Sequence, residues 1–423
     1  MQASCWLVVS FTKHNRPWLI TIGLELYHVH CLGSGGPTKI LMYHTFGFSS
    51  TSWNVYEGLA EELEARGFNV YRVDDPHWKS RALWQDISKA AEFENLIDAF
   101  KPDLIHVHSI RTTHGFLLVR AAHKSHIPIL ATVHTYRAIC PITLRSRINT
   151  LQFPKPCNLV YPHPDCFKCV SSGSLSKSFV KSVETPFYMY ILRQTYRNMN
   201  AIVSPSKSLA DLLTQIGLNN VLHIPNMINK GELEFYSSKA LAKEYPSSIL
   251  FVGRLSREKG VELIPKIARQ LLGTQVHVIG SGPLHRWLSD HNPGNLILHG
   301  FTSEHEKYSL MSKCSLLFVP SIWADLYPTV ILEAFALGKP VVAFDYAGSR
   351  EMVELSGGGV LAVPFDVNSM ILAIRSLLDN PALSRKKGLL GHEWANRTAH
   401  PDIVVNRLIA VYEHLVGSTD STS

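Results

Sequence analysis

The chain has little charge for its length: charged residues make up 18% of its 423 residues, against 46% hydrophobic residues. This balance excludes an intrinsically disordered protein, which combines low hydrophobicity with many charges. Lys and Arg number 41 against 34 Asp and Glu, but they form no long block. The basic excess is therefore too diffuse for a nucleic-acid-binding surface and favours other anionic partners, such as nucleotides or a membrane surface.

Cysteine and long apolar runs are also scarce. Seven cysteines, an odd number, argue against a secreted disulfide scaffold and favour a reducing compartment. The two apolar runs within residues 1–36 are separated by polar residues, and neither reaches the roughly 20 residues that a membrane-spanning helix needs. Because no basic stretch precedes them, we expect no signal peptide but a leader, either poorly structured or lying on a membrane surface.

Two nucleotide-binding signatures are missing as well. No Gly-x-Gly-x-x-Gly opens a helix after the strand-like run VHVIGSGPL, and the chain contains no Walker Gly-Lys-Ser/Thr. These absences exclude the dinucleotide-binding fingerprint and the P-loop.

From Lys39 onward, short apolar runs alternate with stretches of helical periodicity. The runs predicted as strands are KILMY, NVYRV, LIHVHS, ILATVH, AIVSPS, VLHIPN, ILFVGR, VHVIGSG, LILHGF, SLLFVPS and PVVAFD. Continuous runs of this kind are typical of parallel strands covered on both faces by helices. The sequence therefore predicts an α/β protein with two doubly wound, Rossmann-like domains that face each other across a cleft.

The predicted domains are 37–225 and 226–400, with the hinge at Ile224–Asn229. An amphipathic helix at 401–417 is expected to return to the first domain. Ligands of such folds bind at the carboxyl ends of the strands, so we expect the functional site in the cleft.

Two loops of the second half have the composition of a phosphate-binding site. Gly253, Arg254 and Lys259 directly follow a predicted strand, and two cations five positions apart can bracket a diphosphate. Gly280 and Gly282 form a Gly-Ser-Gly turn at the end of the next strand.

The segment WADLYPTVILEAF combines two carboxylates with a helix start. Asp325 lies in the loop with Tyr327, and Glu333 lies eight positions later inside the helix. The first helical amides, those of Thr329 and Val330, are free to bind phosphate. Carboxylates at these positions can accept hydrogen bonds from the hydroxyl groups of a sugar and a ribose.

This segment resembles the Glu-x7-Glu signature of the retaining group 1 glycosyltransferases (family 4), which have the GT-B architecture, and the resemblance extends from Lys39 to the last helix. It implies that Arg254 and Lys259 bind the donor diphosphate and that Glu333 holds the donor ribose. Asp325 would contact the transferred sugar, although the family usually has Glu there.

The segment YAGSRE resembles the Gly-Gly-x-x-Glu turn beside the donor site of the same family. Gly348 and Glu351 match that turn, whereas Ala347 replaces one glycine.

The first half carries a weaker form of the family pattern. The loop after KILMY contains one glycine, Gly47, where the family has two near the donor phosphates. ATVHTYRAICP resembles a family strand that ends in a histidine, which implies that His134 faces the cleft near the reacting sugar. His108 is the second histidine candidate.

The resemblance implies transfer from a nucleoside diphosphate sugar, UDP- or GDP-linked, to a hydroxyl acceptor with retained configuration and no catalytic metal or other cofactor. We expect a glycan or lipid-linked precursor of polysaccharide biosynthesis as the acceptor, and a cytoplasmic protein touching the membrane face. Two alternatives stay open: a catalytically weak nucleotide-sugar-binding protein, and another GT-B enzyme such as a sugar-nucleotide epimerase.

Four cysteines lie close together in a loop rich in Pro and His. They are Cys140, Cys157, Cys166 and Cys169. Four thiolates with one close pair can form a structural zinc site, but free thiols and disulfides fit the same spacing.

Overall fold

The computed structural model describes residues 38–44, 51–74, 88–108, 110, 113–140, 146–147, 155–156, 160, 162–163, 166, 175–228 and 247–420, and the backbone of four short strands before residue 30. Those four strands lie in the predicted leader and pair antiparallel, β1 with β4 and β2 with β3. Their bounds are Cys5–Trp6 (β1), Val9–Phe11 (β2), Ile22–Leu24 (β3) and His28–Val29 (β4).

The first domain is built on a six-stranded parallel sheet with the order β12-β11-β8-β7-β5-β6. Its strands are Lys39–His44 (β5), Asn69–Asp74 (β6), Leu104–His108 (β7), Ile129–Thr132 (β8), Ala201–Ser204 (β11) and Val221–His223 (β12). A separate antiparallel pair consists of Ser146–Arg147 (β9) and Lys155–Pro156 (β10). The helices are Thr51–Ala65 (α1), Ser88–Phe100 (α2), Thr113–Lys124 (α3), Leu175–Arg197 (α4) and Lys207–Gln215 (α5).

The second domain contains another six-stranded parallel sheet, with the order β15-β14-β13-β16-β17-β18. Its strands are Ser248–Val252 (β13), Gln275–Ile279 (β14), Leu296–Gly300 (β15), Leu316–Val319 (β16), Val341–Phe344 (β17) and Gly359–Ala362 (β18). The helices are Ile264–Arg269 (α6), His285–Asp290 (α7), Glu304–Lys313 (α8), Thr329–Ala336 (α9), Ala347–Ser356 (α10), Val367–Leu378 (α11) and Pro381–Thr398 (α12). Strand β18 was not predicted from the sequence.

Both faces of each sheet are covered, which explains the continuous apolar runs. In β5, Leu41 and Tyr43 pack into one buried cluster, whereas Ile40 and Met42 pack into another on the opposite face. Successive side chains of a strand point to opposite faces, so a strand buried on both sides must be apolar at every position. The predicted fold, two doubly wound α/β domains, is confirmed.

The chain crosses between the domains at two neighbouring points. Met227 packs into the core of the first domain and Ile228 into that of the second. The amide of Ile228 donates to the carbonyl of Ala399, 3.1 Å away, just before the last helix, Pro401–Asp420 (α13), begins. α13 packs on the first sheet, where Tyr412 is fully buried. Within the described residues, no helix combines the length and the apolar character required to span a membrane.

Candidate active site

An ion pair lies at the switch point of the second sheet, between β13 and β16. β13 is the first strand of its domain and β16 the fourth, so the connections leave them in opposite directions and open a crevice at their carboxyl ends. Lys259 follows β13 and Asp325 follows β16, and Lys259 Nζ lies 2.5 Å from Asp325 Oδ2. The ammonium also lies 5.0 Å from the ring centre of Trp323. Two predicted site residues, a cation and a carboxylate, are thus in contact in this crevice.

The Gly-Ser-Gly turn packs against the loop that carries the two predicted cations. At Gly280, where φ is 139°, a Cβ would lie 1.9 Å from the carbonyl oxygen of Gly253. At Gly282, a Cβ would lie 2.5 Å from the carbonyl oxygen of Leu255. Both glycines are therefore required by backbone packing, since any larger residue would force the two loops apart. Gly253 has room for a Cβ, which would make only ordinary contacts with Phe251.

Arg254 lies on the same loop as Lys259. Its side chain is 64% exposed, and its guanidinium forms an ion pair with Glu258. Ser256 Oγ donates to the same carboxylate oxygen at 2.7 Å. The amide of Ile322 donates to the carbonyl oxygen of Glu258, 3.0 Å away, which joins this loop to the one that carries Asp325. Arg254 is thus an exposed cation that is paired with Glu258 on the loop beside the crevice.

The start of α9 lies at the carboxyl end of β16. Pro328 occupies the N-cap position, one residue earlier than the first helical turn, and no side chain caps the helix. Thr329 and Val330 are the first two residues of the helix, where amide groups lack acceptors within the helix and the dipole favours an anion. Tyr327, in contrast, is buried in the core of the second domain, and its hydroxyl has no hydrogen-bond partner among the described residues.

Glu333 projects from the second turn of α9 toward α8. Its Oε2 lies 2.9 Å from Lys307 Nζ, and both side chains are largely buried. Burial raises the pKa of Glu333, and the Lys307 ammonium opposes this shift. Lys307 was not predicted as a site residue, since nothing in the local sequence indicates that α8 faces α9 at this position.

The turn that follows β17 touches the backbone of the Asp325 loop. The amide of Gly348 donates to the carbonyl oxygen of Asp325 at 2.8 Å. A Cβ on Gly348 would lie 2.1 Å from the carbonyl oxygen of Leu326, so this position requires glycine. Ala347, which replaces the other glycine of the turn, has a left-handed φ of 48°. An alanine is strained there, whereas glycine is not.

Glu351 connects the two domains. Its Oε1 accepts from the amide of Lys207 at 2.6 Å, and its Oε2 accepts from the amide of Ser208 at 2.9 Å and from Ser206 Oγ at 3.1 Å. These donors form the start of α5 in the first domain, where an anion is favoured. The carboxylate predicted to bind the donor therefore caps a helix of the opposite domain.

Histidines cluster at the switch point of the first sheet. His44 ends β5, His108 ends β7, and these two residues are partners in the parallel ladder. His134 lies two residues beyond β8, its Nε2 3.1 Å from His108 Nδ1, and the two rings are stacked. The predicted histidines His108 and His134 are thus in contact, and His44 is a third imidazole that the sequence interpretation missed.

Three buried histidines of this region, His106, His108 and His134, have lowered pKa values and are neutral at pH 7. Burial lowers the pKa of His106 and His134 to about 3 and lowers that of His108 well below its usual value, with neighbouring imidazoles acting in the same direction. His106 is held from two sides, with Tyr412 Oη 2.6 Å from Nδ1 and Thr132 Oγ1 2.8 Å from Nε2. The cluster therefore offers hydrogen bonds without charge.

The loop that carries Asp325 packs against the first domain. Ala324 and Leu326, the neighbours of Asp325, pack into the hydrophobic cluster of the first domain. Val133 and Tyr136, which flank His134, belong to the same cluster. His134 and Asp325 therefore lie on segments that border the same hydrophobic cluster, and the Asp325 loop packs against the first domain.

Three of the predicted residues, Gly47, Cys157 and Cys169, lie outside the described residues. Cys140 lies two residues after the turn at Tyr136–Ala138, and Cys166 is also among the described residues. Within the described ranges, no group of three or more His, Cys, Asp or Glu side chains could hold a metal ion. The zinc site stays a prediction.

Comparisons with protein families match both halves of the chain. The family model "Glycosyltransferase Family 4" matches residues 54–232, and "Glycosyl transferases group 1" matches residues 233–388. The two matches adjoin each other and together span most of the chain.

Among curated proteins, glycogen synthase from Mycobacterium tuberculosis is 26% identical over 301 residues, which is 68% of this chain and 63% of that protein. The chain thus spans less than two thirds of this relative. Alpha-D-kanosaminyltransferase from Streptomyces kanamyceticus is 31% identical over 151 residues, 33% of this chain and 38% of that protein.

Solved structures share the fold. Sucrose-phosphate synthase from Thermosynechococcus elongatus superposes with a TM-score of 0.65 at 16% identity, covering 90% of this chain and 100% of that one. HepE from Anabaena, in complex with UDP and glucose, superposes with a TM-score of 0.61 at 14% identity, covering 89% and 100%. With two adjoining family models and this architecture, the chain belongs to the group 1, family 4 glycosyltransferases.

Proposed function

We propose that the protein is a retaining, metal-independent glycosyltransferase that moves a sugar from a UDP- or GDP-linked donor to a hydroxyl group of a glycan or lipid-linked acceptor. The observation that carries the proposal is the Lys259–Asp325 pair at the switch point of the second sheet, beside the uncapped start of α9. A cation and free amides suit a diphosphate, and the adjacent carboxylate suits the hydroxyl groups of the attached sugar.

In the proposed reaction, the acceptor oxygen attacks the anomeric carbon from the face that the diphosphate leaves. The bond from the anomeric carbon to the phosphate oxygen breaks, and the acceptor proton passes to that diphosphate. Lys259 and the α9 amides stabilise the negative charge of the leaving group, and Arg254 adds a second positive charge for it from the same loop as Lys259. The neutral His134 supplies a hydrogen bond to the transferred sugar from the opposite domain.

Two findings support a nucleoside diphosphate sugar as the donor. HepE, which shares the fold, has been solved with UDP and glucose. The residues at the crevice also provide positive charge for phosphates and carboxylates for hydroxyl groups. The excess of basic residues favours contact with an acidic membrane surface, where a lipid-linked acceptor would lie.

A panel of UDP-, GDP- and ADP-sugars tests the proposal through the release of nucleoside diphosphate by the purified chain. We expect one donor class to be turned over, and we expect Glu333→Ala to abolish this turnover, whereas Glu354→Ala on the exposed face of α10 serves as the control. NMR of the product would show retained anomeric configuration, and EDTA would leave the rate unchanged.

The alternative is a binding protein with weak or no turnover. Asp325 favours it, because its carboxylate is one methylene shorter than the glutamate of the family and is already paired with Lys259. Tight nucleotide binding without turnover of any donor and acceptor would support this alternative and contradict the transferase.

A further inference from the structure

Lys307 is an unusual lysine because its ammonium lies between two carboxylates inside the second domain. Its Nζ is 2.6 Å from Glu304 Oε2 and 2.9 Å from Glu333 Oε2, with the ring centre of Tyr308 4.5 Å away. The side chain is only 12% exposed. Buried lysines are rare unless they are paired, so this environment needs an explanation.

Glu304 alone does not account for the position of the ammonium. Glu304 is 57% exposed and precedes Lys307 by one helical turn. A lysine that served only this pair would extend its ammonium into water beside the exposed carboxylate. Lys307 turns inward instead and reaches the carboxylate of another helix, which is 14% exposed.

The consequence of this contact is the charge state of Glu333. Burial raises the pKa of Glu333, and the Lys307 ammonium opposes this shift. Without the lysine the carboxyl group would be protonated more readily, and a protonated carboxyl can donate as well as accept. Burial also lowers the pKa of Lys307, but Glu333 and Glu304 outweigh this effect, so the lysine is charged. The ammonium therefore favours the ionised form of Glu333 and fixes the position of its carboxylate through a charged contact at 2.9 Å.

We propose that Lys307 is a positioning residue for the donor ribose: it keeps Glu333 as a fixed carboxylate that accepts hydrogen bonds from the ribose hydroxyl groups. This inference rests on the proposed function and on the ribose contact that the family resemblance implies for Glu333. It adds a residue from α8 to a site otherwise built from the loops after β13, β14, β16 and β17. Lys307 does not touch the reacting atoms and acts through Glu333.

The test is the binding of UDP and GDP and of their 2′,3′-dideoxy analogues, measured by calorimetry on the full chain. In the wild type, loss of the hydroxyl groups should weaken binding about tenfold or more, as expected for hydrogen bonds to a charged group. In Lys307→Met, the intact nucleotide should bind about tenfold more weakly, whereas the dideoxy analogue should change less than about threefold. Lys307→Arg should keep part of the preference for the intact nucleotide over the dideoxy analogue, since it keeps the positive charge.

Lys313→Met, at the opposite end of α8, is the matched control and should keep the full preference for the ribose hydroxyl groups. If Lys307→Met fails to fold, Lys307→Gln replaces it, since the amide keeps one donor for Glu333 without the charge, and the preference should then be reduced. A folded Lys307→Met or Lys307→Gln variant with the wild-type preference would overturn the positioning role and leave the proposed function intact. Failure of the wild type to bind either nucleotide would overturn both.

Discussion

The first sheet ends at its switch point in buried histidines, whereas the second ends in glycine turns and the Lys259–Asp325 pair. The two strand orders share one feature: each sheet has a crevice between two neighbouring strands whose connections leave in opposite directions. The chemistry of the two edges differs. The first sheet presents neutral imidazoles, whereas the second presents charged side chains and the free amides at the start of α9. Under the proposed function, this difference assigns separate roles to the domains: the second would hold the anionic donor, and the first would provide uncharged hydrogen bonds around the sugar and the acceptor.

The different roles of the two edges can be tested by removing one polar group from each edge and comparing the loss of turnover. Lys259→Ala should lower turnover by about 100-fold or more, because it removes a charge that stabilises the leaving diphosphate. His134→Asn should lower turnover only about tenfold, because a neutral hydrogen bond contributes less. Steady-state kinetics with the active donor measure both, with Lys266→Ala on the surface of α6 as the control. Equal losses in the two variants would contradict the separate roles of the two domains.

Acidification should act mainly on the histidine edge. The pKa values of His106, His108 and His134 are lower in the folded chain than the ordinary value near 6.5, so the unfolded chain binds more protons below that pH. The stability that their neutral forms contribute is fully present above about pH 6.5 and is lost as the pH falls toward 3. Each histidine contributes at most about 1.4 kcal/mol per pH unit to the slope of the free energy of unfolding against pH.

Urea denaturation between pH 7.5 and 5 measures this slope. In His106→Gln, the slope of the unfolding free energy against pH should fall by the amount that corresponds to about one bound proton. His123→Gln, on the exposed surface of α3, should leave the slope unchanged. An unaltered slope in His106→Gln would show that His106 is not a neutral buried group.

Glu351 forms hydrogen bonds between the two domains. Glu351→Ala should lower the free energy of unfolding by about 2 kcal/mol, because it removes charged hydrogen bonds to the start of α5. It should also widen the angle between the domains, which small-angle scattering would detect as a larger radius of gyration. Glu354→Ala, on the same helix, is the control. An unchanged radius and stability would show that the cap does not hold the domains together.

The smallest effect is expected at Ala347. Ala347→Gly should raise the free energy of unfolding by less than about 1 kcal/mol, because relief of the left-handed φ is partly offset by the greater freedom of glycine in the unfolded chain. Ala382→Gly in the first turn of α12 should instead lower it by up to about 1 kcal/mol. Thermal or urea denaturation distinguishes the two, and a clear loss of stability in Ala347→Gly would contradict strain at this turn.

Much of the fold could be predicted because its signals are local. The apolar runs of β5 and β13 are continuous since both faces are buried, and a run of this kind is visible in the sequence itself. Strand β18 was missed because Gly357 and Gly358 precede it and Gly359 begins it, and glycines ordinarily indicate a turn.

The candidate site was predictable only in part. Lys259 and Asp325 were predicted from their motifs, and the structure brings them into contact. Glu351 was predicted for the donor, but its partner at α5 lies 144 positions away, and no local pattern reports such a contact. Tyr327 was predicted at the site and packs into the core, because the motif alone does not say which way its side chain points.

The sequence by itself determined the two α/β domains, the family, and the residue types available for a diphosphate and its sugar, since these depend on periodicity and on short motifs. Only the tertiary structure decided which groups face each other: Lys307 with Glu333, Glu351 with the start of α5, and His108 with His134. The physical reason is that the charge state and orientation of a buried polar group depend on neighbours from distant parts of the chain.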